Sequence, residues 1–238
     1  MWIFKSPNDY SEMVEKISKC SFAISLILLY ILSCANEDYY AFLSEISFGG
    51  EYEFAKIKIN LATLFLPLLI GILEHMFKLH DKMSDLLGIR TRYEKKYIVM
   101  PILRKSGFTK VSDEMLKKDV CKRIMSKCFY KYASSTQPAI DKHSIVLTLN
   151  EWCWYWIVLD TMLLTTVTGL FFLIFKWSLK NLLLIIGALS AMCILLFLVK
   201  RQTVKYTQYE IEAIFSDKER KNEIKKEIKQ IPVIKDAL

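Results

Sequence analysis

One stretch limits the folds open to this chain more than any other. "NLLLIIGALSAMCILLFLV", Asn181 to Val199, runs nineteen residues without a charged side chain. As an α-helix it would be about 28 Å long, close to the hydrocarbon core of a bilayer. The reading is a transmembrane helix.

Three more apolar stretches follow the same logic. Cys20–Ala35 ("CSFAISLILLYILSCA") is followed by Tyr39, Tyr40 and Phe42. Ile59–Leu73 ("INLATLFLPLLIGIL") extends to Met76 and Phe77. Trp152–Trp177 ("WCWYWIVLDTMLLTTVTGLFFLIFKW") opens on an aromatic cluster and closes on a tryptophan. Aromatic side chains gather in this way at the two membrane surfaces. "ILSCA" resembles a lipoprotein cleavage site, but Leu32 does not suit the position two before the cysteine, so the span is read as uncleaved. With 53% apolar residues and only 7 Gly and 5 Pro, the composition argues against a soluble domain. Cysteines at 20, 34, 121, 128, 153 and 193 form no CxxC pair and read as small core residues in a reducing compartment.

Charge sets an expected topology. Residues 80–147 hold 15 Lys/Arg against 7 Asp/Glu, and residues 200–238 hold 10 against 7. The loop from Asn36 to Lys58 carries Glu37, Asp38, Glu45, Glu51 and Glu53 against Lys56 and Lys58. By the positive-inside rule both termini and the middle segment face the cytoplasm. The expected fold is an all-α membrane protein with four transmembrane helices. Its organisation is 1–79 with helices one and two, 80–147 as a basic helical segment, 148–199 with helices three and four, and 200–238 as a cytoplasmic helix.

Helical stripes support the cytoplasmic part. Span two is expected to continue through "HMFKLHDKMSDLLGI". Ser112 is a plausible N-cap for a helix whose Leu116, Val120, Ile124 and Cys128 share one face. Span four is expected to continue as one helix, with Ile211, Ile214, Phe215, Ile224, Ile228 and Ile231 as an apolar stripe among charges. A short segment at Pro232 ends the chain.

No catalytic motif, nucleotide-binding glycine loop or cofactor signature is present. His75 and His80 stand five apart, about 140° around a helix, a poor arrangement for joint metal ligation; no metal site is expected. Asp160 lies inside span three, where a carboxylate must face protein or water. With Thr161, Thr165 and Thr168 it either lines a pore in an oligomer or bonds a neighbouring helix. The segment "RTRYEKKYIVMPILRK" brings Arg90, Arg92, Lys95, Lys96, Arg104 and Lys105 together with Tyr93 and Tyr97. Lys118 and Lys122 follow on the next helix. Cations contact phosphates and aromatic faces stack bases, so an anionic nucleotide fits. Topology or contact with anionic lipid explains the same charges.

Four spans with both ends inside, "GIRTRYEKKYIVMPILRK" after span two and a basic helical part resemble bacterial anti-phage effectors. The nearest are the Hailong-type channel and the four-transmembrane effectors of cyclic-oligonucleotide defence. The resemblance implies a homo-oligomeric ion channel, a tetramer or similar. A nucleotide or short oligonucleotide from a partner nucleotidyltransferase would gate it, and its opening would depolarise the infected cell. The other reading is a membrane-anchored interaction or assembly protein without a pore.

Overall fold

The computed structural model describes residues 5–35, 52–54, 57–59, 61–134, 138–175 and 177–235. Tyr39, Tyr40, Phe42 and most of the acidic loop lie outside them. The described chain is predominantly helical. Its helices are α1 (Tyr10–Ala35), α2 (Leu61–Phe77), α3 (Leu79–Leu87), α4 (Ile89–Glu94), α5 (Met100–Lys105), α6 (Lys118–Ile124), α7 (Lys142–Phe175), α8 (Leu179–Phe215), α9 (Lys218–Lys229) and α10 (Pro232–Lys235). Strands β1 (Tyr52–Phe54) and β2 (Ile57–Ile59) form an antiparallel hairpin, with Tyr52 opposite Ile59 and Phe54 opposite Ile57. Aromatic and β-branched residues alternating with Glu53 and Lys58 suit a strand.

By length and composition, two helices can cross a membrane: α7 over 142–171 and α8. The most apolar part of α8 contains no buried residue. Among the described residues, the other two expected spans fall short of that standard. The first turns of α1 carry Glu12, Glu15, Lys16 and Lys19, leaving an apolar part about 24 Å long. α2 is 17 residues long and is interrupted by Pro67. α8 is 37 residues, about 55 Å, well beyond one membrane thickness. Its uncharged part ends at Val199, where Lys200 and Arg201 follow.

The chain divides into two compact units: 1–5, 11–80 and 153–199 in the first, and 6–10, 81–152 and 200–238 in the second. In the first unit, α1 and α2 approach closely. Ser18 Oγ donates to the Gly71 carbonyl at 2.8 Å, and a Cβ on Gly71 would stand 3.1 Å from the Phe22 Cβ. Gly169 on α7 meets Ile185 of α8 in the same way, at 3.0 Å. Span two does not continue as one helix. It breaks at Lys78, whose φ is +46°, a conformation L side chains rarely adopt.

The second unit holds a continuous core. Ile98, Val99, Ile102, Leu103, Ile124, Met125 and Cys128 meet Ile211, Ile214, Ile224, Ile228 and Ile234 there. α4 leads without interruption through a π-helical turn at Lys95–Val99 into α5. α6 leads into a second π turn at Met125–Tyr130, and the two π turns pack on each other. Each adds a residue per turn and so resets which side chains face inward.

Two helix boundaries differ from expectation. Ser112 caps nothing: residues 113–115 form a single 3₁₀ turn, and α6 starts after Lys117 without a side-chain cap. The long tail helix is broken at Ser216. Asp217 caps α9, accepting from the backbone N–H groups of Glu219 at 2.7 Å and Arg220 at 3.2 Å.

Candidate functional site

The basic segment is a helix with one face in the core of the second unit. Tyr93 is 5% exposed. Its ring lies edge-on to Trp152 at 4.3 Å and near Tyr97 at 5.0 Å. Its hydroxyl bonds Thr207 Oγ1 at 2.9 Å. Tyr93 therefore belongs to the core and offers no face to a base, which corrects its place among the ligand candidates. Arg90 is exposed but engaged: its Nε donates to Glu94 at 2.7 Å, and a terminal nitrogen donates to the Tyr130 hydroxyl at 3.1 Å. Asp81 stands 3.8 Å away.

Arg92, Lys96, Arg104, Lys105, Lys118 and Lys122 are exposed, and Lys95 is half-exposed. Lys96 Nζ lies 5.3 Å from the Tyr97 ring centre. Arg104 and Lys105 close the last turn of α5, where cations favour the helix dipole. Since α4 and its π turn pack against α6, the structure places most of these cations on two adjoining elements of one unit. Nearby positive charge is partly offset by α9. Lys127 pairs with Glu227 at 3.2 Å, and Lys131 pairs with Glu223. Glu223 also accepts from the Tyr132 hydroxyl at 2.6 Å. Those two bonds hold its carboxyl below the usual range, while burial and the nearby carboxylate push the Tyr132 phenol up.

In the first unit, Asp160 is 6% exposed and accepts from Ser21 Oγ of α1 at 3.1 Å. The carboxylate thus bonds a neighbouring helix. Thr161 and Thr168 donate back to the carbonyls of Ile157 and Leu164, each at 2.6 Å. Thr165 is buried, and its hydroxyl has no hydrogen-bond partner among the described residues. The expected threonine stripe is therefore mostly satisfied within its own helix.

The contact between Glu74 and His80 and the burial of Glu210 are not expected from the sequence. Glu74 (3% exposed) and His80 (0%) meet at 2.5 Å across the break at Lys78. Glu74 also accepts from the His80 backbone N–H, capping the start of α3. A continuous helix would have held the two apart. Glu210, in the second unit, is 3% exposed, and burial pushes its carboxyl up to about 8. Its signal was faint: Thr203, Thr207 and Glu210 follow one helical face among the isoleucines.

Fold and charge together define a helical protein with two helices of membrane-spanning length and a compact basic unit. The chain belongs to the YmfE protein family, which it matches over residues 9–230. It is similar to the Escherichia coli (strain K12) protein named "Uncharacterized protein YmfE", at 27% identity over 179 residues, 71% of each chain. No solved structure matches.

Proposed function

We propose that this is a multi-pass protein of the bacterial inner membrane, working as a homo-oligomeric ion channel gated by an anionic nucleotide or oligonucleotide on its cytoplasmic side. In this reading α1 and α2 join α7 and α8 to give four spans, with both termini inside. The observation that carries it is the uncharged, wholly unburied stretch of α8, which only lipid or another subunit can cover.

The ligand reading rests on the exposed cations Arg92, Lys96, Lys118 and Lys122, which stand on elements that pack together. A polyanion there would relieve their mutual repulsion and favour one packing of α4 on α6. The two π turns are the natural moving parts, since a π turn reverts to α by shifting one residue of register. Ion flux from liposomes holding the purified protein, with and without cyclic nucleotides and short oligonucleotides, tests this. A nucleotide-dependent flux lost in Lys118→Glu/Lys122→Glu supports it; folded, inserted protein without flux under any condition overturns it.

One observation favours a second reading, a membrane-anchored interaction protein without a pore. Asp160 is engaged with Ser21, and Thr161 and Thr168 with their own helix, which leaves little polar lining free. Nucleotide binding without flux would select it.

A further inference from the structure

α3 buries polar residues and exposes leucines. At about 100° per residue, Leu79, Met83, Leu86 and Leu87 share one sector about 100° wide. Asp81 and Asp85 lie on the opposite side, and His80 and Ser84 lie between the two. A surface helix of a soluble domain turns its apolar sector to the core. Here the residues most deeply buried are polar. His80 is 0% exposed, bonded to Glu74, with its ring 5.8 Å from that of Trp156. Ser84 is 1% exposed, and its hydroxyl accepts from the Arg90 backbone N–H at 3.1 Å. Leu86 and Leu87 are 84% and 51% exposed. Leu86 is thus barer than Phe197, at 65%, in the uncharged stretch of α8.

The course of the chain argues that lipid covers these leucines. α3 begins one residue after α2, across the break at Lys78. The end of α2 exposes Ile72, Met76 and Phe77, so apolar surface that needs cover continues along the chain into α3. At nine residues, about 14 Å, α3 is too short to cross a bilayer. Lys78 and Lys82 are exposed, and Lys82 stands between the acidic side and Leu86. A lysine so placed keeps its stem in apolar surroundings and its ammonium at the headgroup phosphates.

We infer that α3 is an in-plane membrane anchor. Leu79, Met83, Leu86 and Leu87 sink into the boundary between headgroups and acyl chains, Asp81 and Asp85 face water, and His80 and Ser84 face the protein. A helix of this kind sits about 5–10 Å into that boundary. The break at Lys78 then marks where the chain stops crossing the bilayer and follows its surface. The anchor rests on the membrane assignment of α8 and not on the channel, so it holds for either proposed function.

Site-specific photo-cross-linking tests this. A benzophenone-bearing amino acid replaces Leu86, Asp85 or Leu184, one at a time, in the full-length protein in phospholipid liposomes. All three positions are exposed, so the substitutions leave the packing intact. After irradiation, mass spectrometry should find phospholipid adducts at 86 and at 184, and their loss when the probe moves from 86 to 85. Lipid adducts at 184 with none at 86 overturn the anchor and leave α8 in the membrane. Equal lipid adducts at 85 and 86 overturn it too, because the helix would then be immersed on every side. Cross-links from 86 to a second copy of the chain overturn it in favour of a subunit interface. No lipid adduct at 184 removes the membrane assignment, and the anchor with it.

Discussion

The two halves of α8 obey opposite rules. From Leu183 to Leu198 large apolar residues such as Leu184, Ile194, Leu195 and Phe197 are exposed, and none of that stretch is buried. From Thr203 to Ile214 the helix buries a single face, with Ile211 and Ile214 at 1% and 0% exposure. One half is apolar all round and the other is amphipathic. The first pattern can be covered by lipid or by another subunit, and the second needs a partner on one side only.

Substitutions on each half probe that contrast. The largest effect is expected from Ile214→Ala, which empties a fully buried site and should cost about 2–5 kcal/mol in chemical unfolding. Leu184→Asp should reduce membrane insertion by about 3 kcal/mol, read from the membrane-integrated fraction. Equal insertion of Leu184→Asp and wild type would break the assignment of that half to lipid. Tyr93→Phe removes the hydroxyl that satisfies buried Thr207 and should cost about 1 kcal/mol in the same unfolding assay. Leu184→Ala should change unfolding in detergent by less than about 0.5 kcal/mol. A loss comparable with that of Ile214→Ala would mean that another subunit, not lipid, covers this half.

Periodicity made much of the second unit legible. The isoleucines at 211, 214, 224, 228 and 231 repeat at helical spacing, and all are buried. The break between them was missed because the stripe runs through it. Asp217 caps the new helix with its side chain, a local signal that the longer pattern masks. At the candidate site, the cations were legible as composition, but their roles were not. Arg90, Arg92 and Lys96 look alike in sequence. Only packing brings Tyr130 to Arg90, and turns Tyr93 inward while Lys96 stays out.

The sequence by itself determined the uncharged nineteen-residue run, the placement of positive charge after it and the inward stripes. These depend on side-chain chemistry and helical period alone, which need no knowledge of neighbours. Only the tertiary structure decided the break at Lys78 that lets His80 reach Glu74, and the bond from Ser21 to Asp160. Each joins residues of separate turns or helices. A carboxylate's behaviour is set by what surrounds it, and the linear order of residues does not carry that information.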